Sequence, residues 1–224
     1  MCGRFTIAIT IGLAERFQLP VVPSDLIPRY NIAPSEEVPV ITPAAGRRQE
    51  RTLCMMRWGL GLYRAASNPG YPLINVRSES LSHKPAFRDL LIHHRCLVPA
   101  TGFYEWRIEG KRRQPWYITR KDRNLFAFAG LFTDRPGEPR TFAIITTPPN
   151  GLVAPLHDRM PAILEREDEN GWLTDPVTDP RQVIGYLVPA PPEDLDTYRV
   201  SRLVNTPGVE SPEFIRPIVQ ESLS

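Results

Sequence analysis

The stretch Leu125-Phe126-Ala127-Phe128-Ala129-Gly130-Leu131 is a short apolar and aromatic run, and it reads as a β-strand. Runs of similar character surround it at Val38 to Thr42, Arg51 to Trp58, Cys96 to Ala100, Tyr117 to Thr119, Phe142 to Thr146 and Met160 to Leu164, with turn residues between them. Phe5 to Ile9 adds one more short strand. Helical spacing is confined to Ile11 to Leu19, with Leu13, Phe17 and Leu19 on its buried side, to Lys84 to His93, Glu167 to Leu173 and Pro180 to Leu187, and to Pro191 to Tyr198, which opens with acidic residues. Strands outnumber helices and do not alternate with them. That pattern predicts an α+β fold, a curled, mostly antiparallel and barrel-like sheet with peripheral helices, rather than a doubly wound one. The 25 prolines against 14 glycines argue the same way, because an interior proline breaks a helix.

With 224 residues, 42% hydrophobic and 23% charged, the chain can bury a sizeable core as one domain over residues 1–224. The loop Ala65 to Pro72 is expected to move and Gln220 to Ser224 to fray, but no linker, repeat or low-complexity tract divides the chain. Three cysteines, Cys2, Cys54 and Cys96, are too few for a disulfide framework and point to a reducing, cytoplasmic setting. No apolar run approaches the roughly 18 residues of a membrane span. The segment nearest to a signal sequence, Thr6 to Ala14, runs straight into Glu15 and Arg16.

Net charge is only +2, yet residues 1–164 hold 22 Lys and Arg against 13 Asp and Glu, while residues 165–224 hold 5 against 12. The body is basic and the remainder acidic. Only three of the 27 cations are lysines, and arginine's planar fork grips phosphate with paired hydrogen bonds, so a nucleic acid or another phosphorylated partner is one reading. An arginine-heavy surface without a partner is the other.

The first residues carry the most distinctive chemistry. Trimming of Met1 leaves Cys2 with a free α-amine beside its thiol. An α-amine of pKa about 7.7 to 8.0 is neutral in roughly one molecule in ten at pH 7, against fewer than one in a thousand for a lysine, so it is the better aldehyde nucleophile. The amine can form an imine and the sulfur can then close a five-membered thiazolidine on the same carbon. Cys54 and Cys96 lack a neighbouring amine and read as small strand hydrophobes. Glu105, between Tyr104 and Trp106, is either a carboxyl with a raised pKa, fit for moving protons, or a strand residue facing solvent. His157, before Asp158 and Arg159, is an acid–base group or an idle loop histidine. Asn75 sits in an apolar run and needs partners if buried.

Taken in order, Met1-Cys2-Gly3-Arg4-Phe5, Arg29-Tyr30-Asn31-Ile32-Ala33-Pro34, Met56-Arg57-Trp58-Gly59-Leu60, Ile74-Asn75-Val76-Arg77-Ser78-Glu79, Gly102-Phe103-Tyr104-Glu105-Trp106, His157-Asp158-Arg159-Met160-Pro161 and Val200-Ser201-Arg202-Leu203-Val204-Asn205 resemble the SOS response-associated peptidase (SRAP) family. The resemblance runs from Cys2 to about Pro217, and Thr101 departs from it where relatives often carry an acidic residue. It implies a protein that shields abasic sites in single-stranded DNA by covalent crosslinking, with an associated autopeptidase activity. It implies Cys2 as nucleophile, with Asn75, Glu105 and His157 completing the catalytic group. For DNA binding it implies Arg4, Asn31, Pro34, Trp58, Arg77 and Arg159, with Thr146 as a further candidate; core packing is the other reading of Trp58.

The implied partner is single-stranded DNA carrying abasic sites, including sites at single-strand to double-strand junctions, met by a monomer. No cofactor, metal or membrane is expected. His93, His94 and Cys96 do not read as a metal site, because adjacent histidines in a strand point to opposite faces and, as cations, they suit a helix end. Two readings from other classes share some of these features. An N-terminal-nucleophile amidohydrolase would use Cys2 with its own amine as base, and a non-catalytic reader of single-stranded or modified DNA would need only the charge.

Overall fold

The computed structural model describes residues 2–61 and 72–218. In chain order its strands are β1 (Phe5–Ile7), β2 (Arg29–Ile32), β3 (Glu37–Ala44), β4 (Arg47–Trp58), β5 (Asn75–Arg77), β6 (Arg95–Ala100), β7 (Gly102–Glu109), β8 (Arg112–Arg120), β9 (Phe126–Thr133), β10 (Thr141–Thr147), β11 (Met160–Pro161), β12 (Ile163–Leu164) and β13 (Leu195–Arg199). The α-helices are α1 (Leu13–Phe17), α2 (Pro85–His93), α3 (Asp168–Thr174) and α4 (Arg181–Ile184). The smaller sheet runs β13-β8-β7-β1-β2 and the larger runs β11-β10-β4-β3-β6-β9-β12, with β5 added beside β10.

Strand β9 sets the layering, because successive side chains leave opposite faces of a sheet. Phe126, Phe128 and Phe132 join Phe5, Trp58 and Phe103 in the core between the two sheets. Ala127, Ala129 and Leu131 join Leu13, Phe17, Phe87, Leu91, Trp172 and Val183 in a second core under the helices. The larger sheet is therefore the middle layer, buried on both faces, which is why its central strands read as continuous apolar runs. Among the described residues only the β10–β4 and β10–β5 pairings are parallel. β10 meets both β9 and β4, but the β3–β6 seam is the single pair Ile41 and Leu97. Pro39 and Pro43 flank Ile41 and lack the N–H a longer ladder uses, so the sheet is curled rather than closed.

The α+β expectation holds, as do the helix at 84–93 and the one near 167–173. Four strands were not foreseen: β2, β5, β7 and β13. The expected helix from Pro191 to Tyr198 is instead one 3-10 turn, Pro192–Asp194, followed by β13, which pairs with β8 from Leu195 against Arg120 to Arg199 against Trp116. The open edge of β8 and the burial of Leu195 outweigh the local helix signal there. The expected helix Pro180 to Leu187 shortens to α4, and the strand from Phe5 stops at Ile7. Apart from Pro72, the loop Ala65 to Pro72 lies outside the described residues, as does Gln220 to Ser224.

Candidate active site

Pairing of β1 with β7 places the start of the chain. Phe5 lies opposite Phe103, and the Tyr104 N–H donates to the Arg4 carbonyl at 3.0 Å, so Cys2 and Gly3 run back along the second half of β7. Close approach of the strands needs Gly102, where a Cβ would lie 2.3 Å from the Tyr117 ring. Glu105 shares the inner face of β7 with Phe103, two residues before it, and is only 2% exposed. Burial pushes its carboxyl from 4.5 up to about 7.

Around Glu105 the other expected catalytic residues gather. Cys2 is fully buried; its thiol donates to the Arg4 carbonyl at 3.7 Å, and burial, then the nearby Glu105 charge, hold the thiol well above its ordinary pKa. Asn75, delivered by β5, donates its amide N–H to the Cys2 carbonyl at 2.7 Å, while its Oδ1 is buried without a hydrogen-bond partner among the described residues. His157 is half-buried, and loss of solvation lowers its pKa below the usual 6.5. Its Nδ1 lies 3.0 Å from the Arg159 backbone nitrogen and 2.7 Å from Asp158 Oδ1. These two contacts are exclusive, since a bare Nδ1 accepts from Arg159 and a protonated Nδ1 donates to Asp158. Glu105 and His157 line one cleft of about 390 Å³, together with Gly3, Arg4, Trp106, Arg113 and Asn205.

The residues expected to hold DNA fare unequally. Arg77 is exposed at the end of β5 and has no ion-pair partner among the described residues. Arg4 lines the cleft, where its Nη1 donates to Asn31 Oδ1 at 2.6 Å and to the Val204 carbonyl at 3.1 Å. Pro34 is half-buried. Trp58 does not present a face to a base: it is fully buried, packed edge-on to Phe5 at 5.1 Å and stacked on Phe142 at 6.4 Å, with its indole N–H donating to the Ile74 carbonyl. Asn31 and Thr146 are also fully buried. The Asn31 amide donates to the carbonyls of Thr206 and Val209, tying the late chain to β2, and Thr146 Oγ1 donates to the Val76 carbonyl. Arg159 is 8% exposed and forms a two-pronged ion pair with Glu79, at 2.7 and 2.9 Å, so its charge is already matched inside the protein.

Sequence reading passed over Trp106 and Arg113. Trp106 takes the guanidinium groups of Arg4 and Arg113 near its ring, at 6.0 and 5.7 Å, and donates its indole N–H to Asn205 Oδ1 at 2.6 Å. The usable signal was the alternation within β7, which sends Trp106 to the opposite face from Glu105 and outward from the core.

Residues 1–207 match the family described as SOS response associated peptidase (SRAP). The chain belongs to the SRAP family. Among its relatives, the abasic site processing protein YoqW of Bacillus subtilis (strain 168) is 41% identical over 225 residues, covering 96% of this chain and 99% of its own. The abasic site processing protein YedK of Escherichia coli (strain K12) is 29% identical, covering 97% and 100%. The abasic site processing protein HMCES of Gallus gallus is 31% identical, with 85% of this chain matched to 66% of its own. A crystal structure of a protein from Bacteroides thetaiotaomicron superposes on this SRAP chain with a TM-score of 0.80 and 29% identity, over 97% of this chain and all of that one. A phage-related protein from Bordetella bronchiseptica gives 0.73 and 26%, over 90% and 95%.

The buried carboxyl gives this SRAP fold a pH signature. Glu105 titrates near 4.5 unfolded and near 7 folded, so the fold favours its protonated form. The stability it adds is complete below about pH 4.5 and is lost as pH rises through 7. Glu105→Gln removes the ionisation. We therefore expect the unfolding free energy of the variant, from urea titrations, to gain on that of the parent between pH 4.5 and 7.5, by on the order of 3 kcal/mol. Parallel midpoints across that range would mean that Glu105 is not held in its acid form.

Proposed function

We propose that this chain processes abasic sites in single-stranded DNA by covalent capture, forming a thiazolidine through Cys2 once Met1 is removed. The observation that carries the reading is a basic cleft lined by Glu105 and His157 and bordered by Gly3, with Cys2 buried next to Gly3, the Asn75 amide 2.7 Å from the Cys2 carbonyl and a carboxyl poised near pH 7. Abasic-site processing is also what the relatives are named for.

The abasic sugar is mostly a closed hemiacetal, and His157 protonates its ring oxygen as it opens to the aldehyde. The Cys2 amine adds to the aldehyde carbon, and Glu105 in its acid form protonates the departing hydroxyl as the imine forms. Because burial keeps the Cys2 thiol protonated, sulfur closes the ring second, giving its proton to the Glu105 carboxylate. One water is lost overall. The buried Asn75 Oδ1 faces a need for a donor that the opened sugar's hydroxyl meets. The same carboxyl serves reversal and the removal of a residue preceding Cys2, the autopeptidase side of the reading. We place the protein as a monomer acting in the cytoplasm on single strands and at strand junctions. Among the described residues no helix is long and apolar enough to cross a membrane.

Denaturing gel electrophoresis after mixing with an oligonucleotide bearing one abasic site tests the reading. A stable shifted band supports it; peptide turnover without a band would favour an N-terminal-nucleophile hydrolase, and neither would leave a DNA reader.

Phosphate contacts release counterions, so affinity for intact single-stranded DNA should fall steeply with salt. Arg77→Ala should lower the slope of log affinity against log salt by roughly one unit. Arg113→Ala should do the same, whereas Arg159→Ala should move the slope less, because Glu79 already balances that charge. His157→Ala should slow capture of the ring-closed site by about 10²-fold and of a linear aldehyde by less than about threefold, as the linear substrate skips ring opening. Equal losses on both substrates would assign His157 another role.

A further inference from the structure

Glu79 is exposed and remote in sequence from the histidine loop, yet it is wired to that loop. Its two carboxylate oxygens take both Nη atoms of Arg159, and this guanidinium holds the carboxyl below its ordinary range. The same Arg159 Nη2 also donates to the Thr146 carbonyl on β10. One guanidinium thus ties residue 159, just before β11 begins at Met160, to the 3-10 turn Ser78–Ser80 and to the end of strand β10. The backbone N–H of this anchored residue is the one that reaches His157 Nδ1 at 3.0 Å, in competition with Asp158 Oδ1 at 2.7 Å.

We infer that Glu79 and Arg159 are positioning residues: through the anchored Arg159 backbone N–H they fix which ring nitrogen of His157 carries the proton and how the ring faces the cleft. Only a bare Nδ1 accepts from an N–H, so the neutral ring carries its proton on Nε2, the nitrogen on the far side of the ring from the loop. Protonation of Nδ1 hands the contact over to Asp158, which is largely exposed. Without Glu79, Arg159 keeps only its contacts to the Thr146 carbonyl and Oγ1, its backbone N–H is less constrained, and Asp158 captures Nδ1 more often. The other charged groups at the cleft, Glu105 on β7, Arg113 on β8 and Arg4 just before β1, belong to segments that Glu79 does not anchor.

The consequence for catalysis rests on the proposed capture reaction, but the arrangement itself can be tested without it. In ¹⁵N-labelled protein, ring nitrogen shifts of the four histidines, with His157→Ala to assign the resonance, report tautomer and pKa directly. In the parent the His157 ring should be the Nε2–H tautomer near pH 7. In Glu79→Gln its population should shift toward Nδ1–H with a changed pKa, while His83, His93 and His94 stay unchanged. Crosslinking of the ring-closed site should slow about tenfold with an altered pH profile, that of a linear aldehyde should not change, and affinity for undamaged DNA should not fall. An unmoved His157 spectrum in Glu79→Gln would overturn the inference. So would a variant that binds DNA more tightly with a salt slope raised by one unit and no change at His157, since Arg159 would then be a masked phosphate site. Absence of any crosslink by the parent, with the spectral change present, would remove the capture reaction and leave the positioning role standing.

Discussion

Cys2→Ala should abolish the stable DNA adduct, a loss of at least about 10³-fold in capture rate, with groove affinity for undamaged single-stranded DNA nearly unchanged. The expectation follows from the need for two nucleophiles on one carbon, which in this chain occur together only at Cys2 once Met1 has gone. Cys2→Ser keeps the amine and should give only an imine, trapped by borohydride and otherwise lost on denaturation. A tag fused ahead of Cys2 and left in place turns the amine into an amide, which forms no imine, so capture should vanish although thiol, Glu105 and His157 remain. Intact mass of the active protein should show loss of Met1, and the adduct should weigh the sum of the partners less one water. Full capture by a verified tagged form would end the thiazolidine mechanism and leave the thiol or a lysine acting alone.

Glu105→Gln should slow crosslinking of a preformed abasic site by about 10²-fold or more, and slow its reversal as well, because the amide has the carboxyl's shape but cannot exchange a proton. The structure sharpens that expectation. Burial brings the carboxyl to about 7, so near neutrality both its acid and base forms are populated, one for the departing hydroxyl and one for the thiol proton. The capture rate of the parent should therefore bend near pH 7, and the bend should be missing in the variant. A variant that gains stability above pH 7 while losing rate would show the same buried carboxyl acting in both respects. Unchanged rates in a folded Glu105→Gln protein would remove Glu105 from the chemistry.

What the sequence settled by itself was set by local rules. Apolar runs such as 125–131 and 142–146 read as strands because they are short and bounded by turn residues, and burial on both faces accommodates their unbroken hydrophobicity. The spacing of Leu13 and Phe17 fixed one helix, and the amine that loss of Met1 would leave beside the Cys2 thiol is a matter of sequence that needs no fold. The family's motifs, in order, named Asn75, Glu105 and His157; in the structure Asn75 bonds to the Cys2 carbonyl, and Glu105 and His157 line the cleft that Gly3 borders.

Tertiary structure decided the rest, because the outcome depended on partners distant in the chain. Residues 195–199 have helix-compatible acids before them, yet the open edge of β8 made them a strand. Trp58 and Trp106 both lie in family motifs and look alike as candidate stacking surfaces. The sandwich of the two sheets closes over Trp58 between Phe5 and Phe142, while alternation along β7 turns Trp106 out to the cleft between two arginines. Arg77 and Arg159 are equal as cations in the sequence, but only in three dimensions does Glu79 reach Arg159, 80 residues away, and leave Arg77 open to a phosphate. The pKa of Glu105 is likewise no property of its neighbours in sequence. It is raised because the inner face of β7 buries the carboxyl beside the aromatic core, at the edge of the cleft, where it is poorly solvated.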